Sequence, residues 1–278
     1  MSALEDLPPL RETLAAHDLL AKKSFGQHFL LDLNITRKIA RLAEVGEGQR
    51  VIEVGPGPGG LTRALLETGA RVTAVEMDPR FEPLLHELSA AADGRLTLVI
   101  ADALKVDEAQ LAGGEPAAIV SNLPYNVGTP LLIKWLTGPF TPVSMTLMFQ
   151  KEVAERIVAE PGSEAYGRLA VISQACARAR LVMDAPARAF TPPPKVDSAV
   201  VRLVPREDRP APARLAALQA VTQAAFGQRR KMLRASLKAL GGGELCEAAG
   251  LASDIRAETV GIEGFLALAD ALIARRAG

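Results

Sequence analysis

Cysteine is nearly missing from this sequence: Cys176 and Cys246 are the only two in 278 residues. They have neither the density of a disulfide scaffold nor the paired spacing of a zinc site, which points to a reducing, cytoplasmic setting. A surplus of one charge is missing too, since 32 Lys and Arg stand against 32 Asp and Glu. No global field announces a polyanionic partner, so any nucleic-acid contact has to come from local clustering. Long apolar runs are also absent, and none approaches the roughly 18 residues needed to span a membrane. The start of the chain carries Glu5, Asp6, Pro8 and Pro9, where an export leader would need a basic start and an apolar core. The expectation is therefore a soluble, unexported protein with no membrane contact.

What is present fills a real core. Apolar residues make up 49% of the chain, and its length suggests one large domain with a smaller appendage. After an N-terminal arm (residues 1–30), short apolar runs alternate with helical patterns, as in a parallel sheet with crossover helices. The expected strands are Val51 to Val54, Arg71 to Val75, Leu96 to Ile100, Ala118 to Ser121 and Met145 to Phe149. The expected helices between them are Leu61 to Leu66, Arg80 to Leu88 and Pro130 to Leu136. The fold class is α/β, a doubly wound, mostly parallel sheet. Arg180 to Met183 and Ala199 to Val204 are suited to an antiparallel edge on it. Pro205 through Pro212 mixes prolines with charges and reads as a linker. Only helical patterns follow, so the division expected is a catalytic domain over 1–205 and a small all-helical domain over 206–278.

Val51 through Thr62 reads as a strand, a glycine turn (Gly55-Pro56-Gly57-Pro58-Gly59-Gly60) and a helix. Glycines permit the sharp turn and the close approach of a ligand. Gly55, Gly57 and Gly60 formally satisfy G-x-G-x-x-G, and Glu76 closes the next strand about twenty residues on, so a dinucleotide oxidoreductase has to be considered. A tight turn without any ligand is the bland alternative. Glu76, with acceptors only, suits two ribose hydroxyls, which serves NAD and S-adenosylmethionine equally. Asp102 follows the third strand and suits an adenine amino group or a helix N-cap. These residues imply a nucleotide-type cofactor without choosing one.

Asn122-Leu123-Pro124-Tyr125 follows the fourth strand. Pro124 holds Leu123 extended and contributes no donor, leaving a row of acceptors: the Asn122 amide oxygen and the carbonyls around it. An adenine N6 is a poor nucleophile because its lone pair is delocalised into the ring. Acceptors gripping its protons favour a pyramidal nitrogen whose lone pair faces an electrophilic methyl group, which is positioning rather than basicity. Tyr125 offers a face for a base drawn from its stack. Taken alone, the tetrapeptide is an asparagine turn with a buried tyrosine.

Together with Lys23 to Leu30, Phe149 to Val153, Phe190 to Asp197 and Phe226 to Lys231, these motifs resemble those of the ribosomal RNA adenine dimethyltransferase family, from Lys23 to the C-terminus. The resemblance implies a Rossmann-like class I methyltransferase sheet and S-adenosylmethionine as cofactor. It further implies dimethylation of two adjacent adenosines near the 3′ end of 16S rRNA, within an immature small ribosomal subunit, and a role in subunit biogenesis. Cofactor contacts carry over to His28, Leu30, Gly55, Glu76, Asp102 and Asn122. His28 stands where many members have Asn, and an imidazole still donates a hydrogen bond. The arm is implied to fold over the cofactor and to bring Lys22 and Lys23 to RNA. Phe190 resembles a second aromatic that sandwiches the target base with Tyr125, although composition alone makes it a loop anchor packed on the core.

Arg229, Arg230, Lys231, Arg234 and Lys238 lie in a stretch without an acid. Read as one helix at about 100° per residue, Arg230, Lys231, Arg234 and Lys238 fall within one arc, beside Phe226, Leu233, Leu237 and Leu240. Such a face is usually solvated surface, but beside an RNA-modifying site it suits phosphates. Two rivals remain: a methyltransferase for a protein amide or small amine, and a non-catalytic RNA-binding assembly factor. A protein docking on a large particle needs no second copy, so a monomer is expected.

Overall fold

The computed structural model describes residue 4, residues 6–19 and residues 28–277. Its contacts divide the chain into two compact units. The first comprises residues 1–135, 140–154 and 180–204, and the second 136–139, 155–179 and 205–278. The start of the last segment coincides with the proline-rich linker. The helical unit additionally takes in residues 136–139 and 155–179, which a single cut along the sequence does not capture.

The strands are β1 (Phe29–Leu30), β2 (Arg50–Val54), β3 (Arg71–Glu76), β4 (Leu96–Ile100), β5 (Ala117–Asn122), β6 (Met145–Gln150), β7 (Ala177–Ala185), β8 (Phe190–Thr191) and β9 (Ser198–Pro205). Seven of them form one sheet in the order β4-β3-β2-β5-β6-β9-β7. The pairs β4–β3, β3–β2, β2–β5 and β5–β6 are parallel. β9 runs antiparallel beside β6, with Leu147 opposite Val201, so the second late run joins the sheet as the antiparallel element expected of it. The central strands read as near-continuous apolar runs because helices cover both faces of a parallel sheet. Ile52, Ala74, Ile119 and Leu147 are all at most 1% exposed.

The helices of the first unit are α1 (Leu10–Ala16), α2 (Leu33–Ala43), α3 (Gly60–Glu67), α4 (Glu82–Ala91), α5 (Glu108–Leu111), α6 (Gly128–Thr137, to residue 135) and the first turn of α7 (Lys151–Val158). Asp32 and Asp107 cap α2 and α5 through their side chains, each satisfying a backbone donor that the helix itself cannot. The part of the arm that is described packs on the first unit. Leu10 and Leu14 of α1 are buried, the Arg63 guanidinium of α3 donates to the Pro8 carbonyl at 2.7 Å, and His17 lies 3.1 Å from Glu87 of α4. Lys22 and Lys23 lie outside the described residues.

The second unit contains the end of α7, then α8 (Arg168–Cys176), α9 (Pro212–Gly227), α10 (Leu233–Ser236), α11 (Gly242–Ala248) and α12 (Ile262–Ala277). α9 and α12 pack along one another. Phe226 meets Tyr166 and Phe265 at ring centroid distances of 6.0 and 5.4 Å, and the buried Tyr166 hydroxyl donates to the Val260 carbonyl at 2.8 Å. The single helix expected across Phe226 to Leu240 is not formed. α9 stops at Gly227, a residue suited to ending a helix. Met232 bridges to Arg256, and the Leu233 amide bonds the Ile255 carbonyl at 2.8 Å. Backbone pairing with another segment thus overrides a continuous amphipathic pattern.

Candidate active site

β2 continues to β3 on one side and has β5 on the other, so the sheet changes winding direction between β2 and β5. Ligands of open α/β sheets bind outside the carboxyl ends of the strands at such a point. A cavity of about 680 Å³ opens there. Its walls come from His28–Leu30, from Glu53 and the glycine turn after β2, from Glu76 to Phe81 after β3, and from Asn122 to Asn126 after β5.

The glycine turn is shaped by sterics as well as by backbone torsion. Gly55 and Gly57 have φ of 68° and 52°, a region that side chains disfavour. A Cβ on Gly60 would stand 2.8 Å from the Leu30 carbonyl oxygen. Gly55 faces Pro124, whose Cδ would lie 3.3 Å from an added Cβ, so the turn and the Asn122–Tyr125 segment approach closely and a larger residue would push them apart.

Two carboxylates line this floor. Glu76 accepts from the Gly57 amide at 3.1 Å on one oxygen and from the Asp78 amide at 2.9 Å on the other. Burial pushes its pKa up, and the backbone N–H bonds from Asp78, Gly57 and Met77 oppose that rise. Its orientation is thereby fixed while further lone pairs face the cavity. Glu53, next to last in β2 and 1% exposed, accepts from the Thr62 hydroxyl at 2.7 Å. Desolvation pushes its pKa up to about 8; the Thr62 bond lowers it and the neighbouring Glu76 charge raises it.

Asn122 ends β5, half-buried, and its amide has no protein partner among the described residues. The Pro124 carbonyl, expected in the acceptor row, is taken up by the Val127 and Gly128 amides at 3.1 Å each, where α6 begins. The Asn122 amide and the Leu123 carbonyl are left as the acceptors. The Tyr125 hydroxyl pairs with Ser198 of β9 at 2.8 Å, which anchors the ring at its edge. His28 stacks on that ring at 5.9 Å, and its Nδ1 donates to the Pro192 carbonyl at 2.8 Å. This donor was expected to serve the cofactor. With Nδ1 occupied, the remaining Nε2 of a neutral ring is an acceptor.

Two expected site residues are not among the residues that line the cavity. Phe190 is 3% exposed, belongs to the hydrophobic core beneath the site and pairs with Leu30 through β8 and β1. It does not line the cavity and packs here as the loop anchor that composition suggested. Asp102, just past β4, is also outside the lining, and its Oδ1 accepts from the Leu104 amide at 2.9 Å. Met77, by contrast, was not anticipated. It follows Glu76, lines the cavity and is 72% exposed, an apolar face beside an acceptor. Its signal in the sequence was position alone.

The residues fit S-adenosylmethionine: a glycine cradle that a Cβ would fill and a fixed pair of acceptors for a ribose diol. Among the basic residues of the helical unit, Arg230, Lys231, Arg234 and Lys238 are exposed. Arg229 instead bonds Glu258 at 3.0 Å and the Glu164 carbonyl at 2.6 Å.

Comparison with known proteins agrees with this geometry. Residues 19–274 match the family model described as ribosomal RNA adenine dimethylase. The chain is 74% identical over 274 residues to ribosomal RNA small subunit methyltransferase A of Phenylobacterium zucineum, covering 99% of this chain and 96% of that one. The protein of that name from Caulobacter vibrioides is 72% identical over 254 residues, 91% and 98% of the two chains. Among solved structures, the 23S rRNA methyltransferase ErmE superimposes with a TM-score of 0.68 at 29% identity, covering 88% of this chain and 99% of that one. A dimethyladenosine transferase from Plasmodium falciparum shares the fold at a TM-score of 0.73 and 24% identity, over 87% and 96% of the two chains. The chain belongs to the ribosomal RNA adenine dimethylase family.

Proposed function

We propose that this protein transfers methyl groups from S-adenosylmethionine to the N6 amino groups of two adjacent adenosines near the 3′ end of 16S rRNA, acting as a monomer on the small ribosomal subunit in the cytoplasm. The observation that carries the reading is the placement of Asn122 at the end of β5, with a side-chain amide that bonds no protein group among the described residues, in the same cavity as Glu76 and the glycine turn. The cofactor supplies a methyl group on a sulfonium, already electrophilic. The protein's work is therefore geometric. Glu76, Gly55 and Gly57 hold the nucleoside end. Asn122 and the Leu123 carbonyl accept hydrogen bonds from the N6–H groups and aim the lone pair. Tyr125, fixed by Ser198 and His28, backs the extruded base. A neutral amide suffices because the methylated nitrogen is acidic enough to lose its proton afterwards.

Lys22, Lys23, Arg230, Lys231, Arg234 and Lys238 are assigned to RNA phosphates in this reading, and Asp102 to the adenine amino group of the cofactor. The test is incubation with labelled S-adenosylmethionine and small subunits lacking the modification, followed by mapping of the label. Dimethyladenosine at two neighbouring positions of the rRNA is expected. Label found only in protein or in free nucleoside would overturn the assignment.

A further inference from the structure

Lys134 sits in α6 with a half-buried ammonium whose three protons all have protein acceptors. It donates to the Ala103 carbonyl at 2.9 Å and the Val106 carbonyl at 2.7 Å, and Glu108 Oε1 lies 2.7 Å away. The next residue, Trp135, donates its indole N–H to the same Glu108 oxygen at 2.7 Å. Glu108 is 6% exposed and Trp135 1%, so the cluster is shielded from water, where charge-assisted bonds hold geometry best. A lysine has three donors and no acceptor. Here they grip one segment, residues 103–108, on both sides of Leu104 and Lys105.

That segment adjoins Asp102, whose Oδ1 and carbonyl are themselves tied to the Leu104 and Lys105 amides at 2.9 Å. Its neighbours present apolar surface at the carboxyl ends of β3 and β4: Met77 is 72%, Ile100 39% and Leu104 40% exposed, and Glu76 pairs in register with Ile100. An acceptor beside exposed apolar side chains suits a flat amino-bearing ring. At its other end, α6 starts where the Asn122–Tyr125 segment stops, its first amides bonded to the Pro124 carbonyl.

We infer that Lys134 is a positioning residue that holds the Asp102 loop, as the subsite for the cofactor's adenine, at a fixed distance from the segment that receives the target adenosine. The inference rests on the proposed role of Asp102. Without the ammonium, the Ala103 and Val106 carbonyls would lose their donor and the buried Glu108 carboxylate its counter-charge, keeping only the Trp135 bond, and the loop would rearrange to reach water.

Calorimetric titration with S-adenosylhomocysteine tests this without turnover. Lys134→Met should weaken binding about tenfold, the scale of one charge-assisted hydrogen bond. Lys134→Arg, which keeps the cation, should recover part of that loss and covers the case in which the methionine variant fails to fold. In an Asp102→Ala background, Lys134→Met should add less than about twofold, because the group it positions is gone. With saturating methyl donor, kcat should stay within about threefold of the native value while KM for the donor rises. Trp135→Phe removes a bond to Glu108 but leaves Lys134 in place; it should lower the melting temperature and leave affinity unchanged.

A Lys134→Met protein that is less stable yet binds with native affinity would overturn the inference, as would an equal loss with and without Asp102. Native affinity in Asp102→Ala alone would remove its basis. The proposed methyl transfer would still stand in that case, since it is decided by where label appears on RNA.

Discussion

In the catalytic unit, Glu53, Glu76 and Glu108 are at most 7% exposed, and each accepts from donors fixed by the fold. In the helical unit, Arg230, Lys231, Arg234 and Lys238 are exposed and form no ion pair among the described residues. Desolvated carboxyl groups hold their partners in one geometry, because leaving a buried polar group unpaired is expensive. Solvated charges hold nothing in place, but they can exchange counterions for phosphates at little cost. The first arrangement suits a reaction that depends on the angle of approach to one nitrogen. The second suits affinity for a long polyanion.

The largest effect is expected where the buried geometry meets the substrate. Asn122→Ala removes the acceptor proposed to face N6 and should lower the single-turnover methylation rate about 10²- to 10³-fold, the range for losing one well-placed polar group. The amide is half-buried and makes no protein bond among the described residues, so the melting temperature should barely move. A rate within tenfold of native would mean that catalysis does not depend on this acceptor.

Next is the cost of burying Glu53. In the folded protein its carboxyl keeps a proton up to about pH 8, whereas in the unfolded chain it gives the proton up near the ordinary value for Glu. Its contribution to stability is therefore fully present below about pH 4.3 and is lost progressively as pH rises through 8. Glu53→Gln keeps an acceptor for Thr62 and does not titrate. Its stability relative to the native protein should rise with pH between about 5 and 8.5, by a few kcal/mol at most. Parallel melting profiles for the two proteins over that range would show that Glu53 ionises no differently on folding.

The same contrast explains what could be read in the sequence. The glycine turn and strands β2 to β6 were legible because apolar runs, punctuation by glycine and crossover spacing are local signals. Glu76 and Asn122 were legible from their places at strand ends. Lys134 was not, since nothing local says that a lysine in an apolar helix will meet the Ala103 and Val106 carbonyls. Phe190 drew an expected role at the target base, but its pairing with Leu30 buries it. His28 looked like a free donor until the fold brought the Pro192 carbonyl to it. In the helical unit the arc of cations suggested one helix from Phe226 to Leu240, and the partner that breaks it, Arg256, lies more than twenty residues on. Contacts made at long range in sequence are where pattern stops being informative.

The smallest effects separate the two kinds of charge within the helical unit itself. Replacing Arg230, Lys231 and Arg234 together with alanine should leave folding and cofactor binding intact, weaken subunit binding about tenfold or more near physiological salt, and flatten the slope of log affinity against log salt by up to about three. Arg229 has the same charge and a neighbouring position, yet its guanidinium is held by Glu258 and the Glu164 carbonyl. Arg229→Ala should cost about 1 kcal/mol of stability or less, as for a half-exposed pair, and should leave the salt slope unchanged. The two variants thus make opposite demands on the same pair of measurements, thermal melting and a salt titration of subunit binding. If Arg229→Ala flattened the slope as strongly per charge as the triple replacement, its ion pair would have to open on RNA. The division between charges that hold the fold and charges that meet the polyanion would then fail at its most exposed point.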